Sequence, residues 1–158
     1  MRLLLTADTH GPKHGLPAWL LEAVATADLV LHAGDLCDQG TLRALGTKPV
    51  YAVRGNRDEG PVLPERLLIS CGGAQIGVVH GHLGPGGDTE ERAFRSFAPR
   101  PDVIVFGHSH RHLLERREGV WLANPGSPTR PKDGVASALL LEILDGALAW
   151  RKIGPLQA

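Results

Sequence analysis

The chain opens with Leu3-Leu4-Leu5-Thr6-Ala7-Asp8-Thr9-His10-Gly11, and the fold reads outward from this stretch. An apolar run of strand length ends in a carboxylate and an imidazole two residues apart, followed by Gly11 and Pro12. In extended backbone, residues i and i+2 point to the same side. Asp8 and His10 can therefore face one point just past the end of a buried strand. That spacing suits a metal ion or an acid–base pair, and it also suits plain turn chemistry. The rest of the chain repeats the design.

Composition sets the bounds. A chain of 158 residues predicts one domain spanning 1–158, long enough to bury ~70% of its extended surface. Hydrophobic content of 42% and charged content of 22% are those of an ordinary globular protein. Lys and Arg number 17 against 17 Asp and Glu, so net charge gives no general reason to expect a polyanion or a membrane as partner. No apolar run reaches the ~18 residues of a transmembrane helix, and the N-terminus has no signal-peptide pattern. Cys37 and Cys71 form neither a disulfide framework nor a Cys-x-x-Cys site. The expectation is a cytoplasmic protein with reduced thiols. No repeat, low-complexity tract or strong nucleic-acid signature stands out, and a homo-oligomer is left open.

In chain order, residues 2–7 read as a buried strand and 11–15 as a loop with Lys13 and His14 facing solvent. Pro17 suits the first helical position, with Ala18 to Ala27 following as helix. Leu29 to Ala33 is a second strand ending in Gly34-Asp35. A short helix over Thr41 to Leu45 leads to a third strand, Val50 to Arg54, ending in Gly55-Asn56. The βαβαβ pattern predicts a mainly parallel sheet with helices on its faces. Arg66 to Cys71 and Ala74 to Val79 flank Gly72-Gly73 as a hairpin. Asp88 to Phe97 reads as a helix capped by Asp88, and Asp102 to Phe106 as another buried strand. His112 to Arg117 and Val120 to Ala123 form a hairpin, Asn124 to Ser127 a loop, and Ala136 to Leu144 with Ala147 to Ile153 a last hairpin around Asp145-Gly146. The α/β expectation is two packed mixed sheets flanked by helices.

Five apolar strands thus end in metal-binding types of residue: Asp8-x-His10, Asp35, Asn56, His80 and His108-x-His110. In open α/β sheets, ligands bind outside the carboxyl ends of strands. Glycine before Asp35, Asn56 and His108 allows a sharp turn and close approach. The set contains no thiolate, and mixed N/O ligation suits Mn, Fe, Zn or Ni. Seven ligands exceed a tetrahedral zinc site and fit two ions with one carboxylate bridging. Such a pair, ~3.5–4 Å apart, clamps the oxygens of an in-line phosphoryl displacement and generates hydroxide near neutral pH.

Asp-x-His, Gly-Asp, Gly-Asn, His and Gly-His-x-His, in this order, resemble the calcineurin-like metallophosphoesterase superfamily. Gly55-Asn56-Arg57-Asp58 and Asn124-Pro125-Gly126-Ser127 are similar to its small bacterial and archaeal phosphodiesterase branch, which includes YfcE-like proteins and the retromer subunit Vps29. The resemblance spans residues 1 to about 130. It implies a β-sandwich flanked by helices (αββα), with a dinuclear site at the strand ends. By position, Asp8, His10, Asp35 and His110 would hold one ion and Asp35, Asn56, His80 and His108 the other, with Asp35 bridging. Two divalent ions, manganese first, and a small phosphodiester substrate are the implied cofactor and ligand. Asp35, Asn56, Arg57 and His80 would carry catalysis by a metal-bridged hydroxide, Asn56 and Arg57 also binding the substrate.

Arg57 departs from the pattern. Many members have His there, contacting the substrate and protonating the leaving group. Arginine stays charged, which makes it a poor general acid and a good phosphate clamp. The alternative function is a Vps29-like binding scaffold with weak or no catalysis. The blander expectations are a satisfied core or supporting role for His32, a supporting role for His82, a structural or exposed His112, and a plain buried Cys37 ahead of a metal-near thiol. Arg111, Arg116 and Arg117 read as a solvated strand face. Trp19, Trp121 and Trp150 read as packing residues.

Overall fold

The computed structural model describes residues 1–11, 14–59 and 63–155. In chain order the elements are β1 (Arg2–Thr6), α1 (Ala18–Thr26), β2 (Leu29–His32), α2 (Gln39–Leu45), β3 (Val50–Ala52), β4 (Arg66–Cys71) and β5 (Ala74–Val79). They continue with α3 (Thr89–Phe94), β6 (Val103–Val105), β7 (His112–Arg117), β8 (Val120–Pro125), β9 (Ala138–Leu144) and β10 (Ala147–Ile153). Two five-stranded mixed sheets result, ordered β10-β9-β1-β2-β3 and β4-β5-β6-β8-β7.

The unbroken apolar run of β1 follows from burial on both faces. Leu3 and Leu5 point into the layer between the sheets, with Leu31, Ile76, Val78, Val103, Val105, Leu139 and Leu141. Leu4 points the other way, against Leu20, Val24, Val30 and Leu45, under α1 and α2. On the far side of the second sheet, Phe94 and Phe97 cover Ile104, Phe106 and Leu122. The layers run helix, sheet, sheet, helix, as expected from the sequence.

Within each sheet the strands that lead to the site are parallel. Leu3 to Thr6 pair in register with Leu29 to His32, and Val30 to His32 with Val50 to Ala52. Ile76 to Val78 pair with Val103 to Val105, and these with Trp121 to Ala123. The carboxyl ends of β1, β2 and β3 therefore gather at one edge, as do those of β5, β6 and β8.

Several boundaries differ from the sequence reading. Pro17 is the residue before α1 rather than its first turn; its carbonyl accepts from the N–H groups of Leu20 at 3.0 Å and Leu21 at 3.2 Å. Strand β3 ends at Ala52, because Arg54 N–H donates to Pro64 outside the ladder. Helix α3 stops at Phe94, leaving Phe97 to pack beyond it. Asn124 and Pro125 belong to β8, where they pair with Leu113 and His112. Strand β6 has ended at the level of Ala123, so Pro125 loses no ladder bond on that side. Glu118-Gly119, Asp145-Gly146 and Gly72-Gly73 all have positive φ at both residues, which a tight two-residue hairpin turn requires. His14 is exposed as expected, whereas Lys13 lies outside the described residues.

Candidate metal centre

Six residues of the strand-end loops adopt a left-handed backbone despite having side chains: Asp8, His10, Asp35, Cys37, His108 and His110, with φ from 50° to 67°. Each costs ~1 kcal/mol or more and persists only where the surroundings enforce it. The enforcement is visible. Asp8, His10 and Gly11 N–H donate to the carbonyls of Gly34, Asp35 and Leu36, so the loop after β1 zips along the loop after β2. The Asp58 carboxylate accepts from the N–H groups of Asp35 (2.9 Å), Cys37 (2.8 Å) and Gly55 (2.7 Å), tying the β2 loop to the β3 loop.

Glycine serves close approach more than turning. At Gly34, where φ is +93°, a Cβ would also meet the His80 ring at 2.7 Å. At Gly55 a Cβ would collide with the Asp35 carboxylate and backbone nitrogen, and at Gly107 with Ala7 and Asp8 at 2.8 Å. Neither of these two has a positive φ.

All seven expected residues converge. One ligand atom from each of Asp8, His10, Asp35 and His110 lies within 4.8 Å of the others. His10 Nε2 is 3.0 Å from His110 Nε2 and 3.6 Å from Asp35 Oδ2, and His110 Nε2 is 3.5 Å from Asp8 Oδ1. A second group adjoins it. His80 Nε2 is 3.4 Å from Asp35 Oδ1, and Asn56 Oδ1 sits 3.1 Å from both His80 Nε2 and His108 Nδ1. The two oxygens of Asp35 thus divide between the groups.

The histidines are oriented from behind. His80 Nδ1–H donates to the Ala33 carbonyl at 2.7 Å and His110 Nδ1–H to the Arg130 carbonyl at 2.7 Å. A carbonyl can only accept, so Nδ1 carries a proton in each ring, and in its neutral form the ring turns a lone pair at Nε2 toward the centre, the arrangement of metal-ligating histidines. His10 Nδ1 faces Cys37 Sγ at 3.5 Å.

The electrostatics point the same way. Asp8 is fully buried, and neither of its oxygens has a hydrogen-bond partner. Burial pushes its carboxyl up to about 7, against the pull of His80. Burial also opposes charge on Asp35, but the His80 hydrogen bond and charge and the Arg57 N–H outweigh it and hold the carboxyl down at about 2. His80 is raised even though burial acts against it, because Asp35 and Asp8 face it. His108 is lowered to about 4 by burial and the neighbouring His80. A buried carboxylate so poorly served by donors takes up a proton or is met by a cation; left charged and alone it costs several kcal/mol. The donor set, two carboxylates with imidazoles and an amide, fits a borderline divalent ion. The residues present therefore fit a metal.

Above the centre lies an open pocket of about 670 Å³, lined by His10, Asp35, Cys37, Asn56, Arg57, His108, His110, Arg130 and Lys132. Arg57 reaches it, as the sequence suggested. Cys37 also reaches it, correcting the expectation of a plain buried thiol; the turn that places Asp35 carries Cys37 to the wall. Arg130 and Lys132 were missed, since nothing in their own stretch marks them; only the bonds to His110 place them there. His32 is the satisfied core residue expected: its Nδ1 accepts from Gly34 N–H at 3.2 Å and its Nε2 meets Thr9 Oγ1 at 3.1 Å. His82 lies beside His80 with ring centroids 5.2 Å apart and the planes tilted by 60°, outside this pocket. His112 Nδ1–H donates to the Asn124 carbonyl. Arg116 and Arg117 sit over the rings of Trp121 and Phe94, away from the centre. Trp121 and Trp150 pack together at 5.7 Å. Asn124 and Ser127 hold the site's backbone. Asn124 Nδ2 donates to the Gly107 carbonyl at 2.9 Å and Ser127 Oγ to the Asp8 carbonyl at 2.7 Å.

A helix-flanked double sheet with an Asp/His/Asn cluster at converging strand ends defines a metallophosphoesterase. The model of the calcineurin-like phosphoesterase superfamily domain matches residues 1–146, and the chain belongs to that family. A probable metallophosphoesterase of Methanothermobacter thermautotrophicus is 34% identical over 148 residues, covering 90% of this chain and 86% of the relative. Vps29 from Entamoeba histolytica, solved complexed with Zn²⁺, is 30% identical with a TM-score of 0.77, covering 98% of this chain and 99% of that one. An archaeal phosphodiesterase structure shares the fold, with a TM-score of 0.73 at 19% identity, covering 98% of this chain and 100% of that one. No helix among the described residues is long and apolar enough to cross a membrane.

Proposed function

We propose that the chain is a phosphodiesterase that binds two divalent transition-metal ions, manganese first. Asp8, His10, Asp35 and His110 would hold one ion and Asp35, Asn56, His80 and His108 the other, with Asp35 common to both sets. The observation that carries this reading is the buried Asp8 carboxylate, without a hydrogen bond and facing two imidazole Nε2 atoms. The Zn²⁺ bound to the related Vps29 supports a divalent ion here. When bound, the ion pair supplies hydroxide near neutral pH and offsets charge on the phosphoryl group.

The chain's own residues do the rest. Ala33 and Arg130 carbonyls fix the imidazoles of His80 and His110, so no reorganisation is needed when substrate arrives. Asn56 and Arg57 flank the place where phosphate oxygens would sit, and the Arg57 guanidinium offers them a fork of donors. The scaffold alternative draws on the Vps29 likeness and on Arg57; the complete donor set favours the enzyme.

Purified protein should hydrolyse bis-p-nitrophenyl phosphate with Mn²⁺ and lose that activity on exhaustive chelation. Elemental analysis after reconstitution should approach two ions per chain, and Asp35→Asn should lower that number. Full activity after chelation, or saturation at one ion unaffected by Asp35→Asn, overturns the reading.

A further inference from the structure

Resting on the two-ion reading, we infer that the pocket takes a phosphodiester bearing a second anionic group, a further phosphate, held by Arg130 and Lys132. Charge accounting motivates this. Two divalent ions, Asp8, Asp35 and an attacking hydroxide leave about one net positive charge, which a simple diester's single negative charge already meets. Yet three more permanent cations, Arg57, Arg130 and Lys132, line the same pocket, and Asp35 is the one carboxylate among its lining residues. Among the described residues none of the three cations makes a salt bridge.

The acids nearest in sequence are committed elsewhere. Asp58 accepts from three backbone N–H groups. Asp133 turns to the N–H of His112 at 2.9 Å. Asp38 caps α2 through the N–H of Thr41. Asp58 and Asp38 still act on Cys37 at the pocket wall, but neither is ion-paired with a lining cation, and among the lining residues three cationic side chains face one carboxylate.

The backbone that carries these exposed cations is held in place. The Arg130 carbonyl accepts from His110 Nδ1–H, and Lys132 N–H donates to the His110 carbonyl at 3.0 Å, so both residues are tied to one metal-site histidine. Arg130 N–H is tied to Ser127 Oγ at 2.8 Å. Arg57 comes from a different loop, next to Asn56, with its N–H on Asp35 Oδ1. Two separate anchors suit two separate anions: Arg57 the reacting phosphate, Arg130 and Lys132 the second. A pocket of about 670 Å³ has room for both.

The test uses the Mn²⁺-loaded full chain and two diesters that differ by one phosphate: thymidine 5′-(p-nitrophenyl phosphate) and its 3′-phosphorylated form. The 3′-phosphorylated diester should have roughly ten- to a hundredfold higher kcat/KM, the size of a charge-assisted contact. The Arg130→Met/Lys132→Met double variant should bring the ratio toward one. In parallel, calorimetry on the wild-type chain should show thymidine 3′,5′-bisphosphate binding at least about tenfold more tightly than thymidine 5′-phosphate. Equal kcat/KM values, or a preference that survives in the double variant, overturn the inference. If neither diester is cleaved, the phosphodiesterase reading fails, and the calorimetric pair still decides whether Arg130 and Lys132 hold a second phosphate: equal affinities, or no binding, overturn it.

Discussion

The resemblance puts Arg57 where many members of the family carry a His, and its guanidinium is a poor general acid. Its N–H is fixed on Asp35 Oδ1 at 2.8 Å while its side chain lines the pocket. Arg57→Ala should lower kcat/KM for activated diesters by roughly ten- to a hundredfold and leave metal content unchanged. A positioned general acid contributes ~10²–10⁴-fold, so rates should depend steeply on leaving-group pKa. Arg57→His should raise the rate on poor leaving groups and add an ionisation to the pH–rate profile. Kinetic constants untouched by Arg57→Ala would show that this side chain does no more than meet solvent. Gly55 is a second residue-scale constraint, because a Cβ there would collide with Asp35. Gly55→Ala should therefore cut metal stoichiometry, measured by elemental analysis, while circular dichroism stays that of a folded chain. Unchanged metal content would mean the loop yields without cost.

At the scale of elements, the site depends on how the loops after β1, β2 and β3 are stitched together. Asp58 supplies the central stitch, accepting three N–H groups at once. Asp58→Ala orphans these donors beside the Asp35 turn and should cost on the order of 2–4 kcal/mol in urea unfolding. It should also weaken metal binding, since Asp35 sits at positive φ and depends on its neighbours to stay there. Asp58→Asn should recover part of both, as one of its side-chain oxygens remains. A stable, metal-replete Asp58→Ala chain would relocate the restraint to the bonds between the β1 and β2 loops. Ser127 and Asn124 do the same work from the second sheet, joining the ends of β6 and β8 to the Asp8 loop.

Across the whole molecule, the cost of building a polar centre inside a four-layer sandwich shows in its pH response. His32 is fully buried between Thr9 and Gly34, and burial lowers its pKa to about 3. The folded state refuses a proton that the unfolded chain accepts near 6.5, so this residue's contribution is intact above that pH. It is lost as pH falls from 6.5 toward 3, with a limiting slope of ~1.4 kcal/mol per pH unit. His32→Gln should flatten the pH dependence of the urea midpoint over that window by about one proton's worth. Identical slopes in the two proteins would place the acid sensitivity elsewhere.

Much of the architecture was legible because its signals are local. The apolar run Leu3 to Leu5, the helix after Pro17 and the turn at Asp145-Gly146 are set by burial periodicity and by backbone preferences of neighbouring residues. The order of Asp8, His10, Asp35, Asn56, His80, His108 and His110 was legible too, since each follows an apolar strand. What packing alone decided is which atoms meet. The parallel registers bring strand ends from two sheets together, turning seven scattered residues into two adjoining groups that share Asp35. Cys37 is carried to the pocket by the turn that follows Asp35, whereas Arg130 and Lys132 reach it only through that convergence, and no pattern in their own stretch announces it. Nor does any local rule foretell six side-chain-bearing residues at positive φ. Such backbone is unfavourable residue by residue, and it persists because long-range hydrogen bonds between loops hold it.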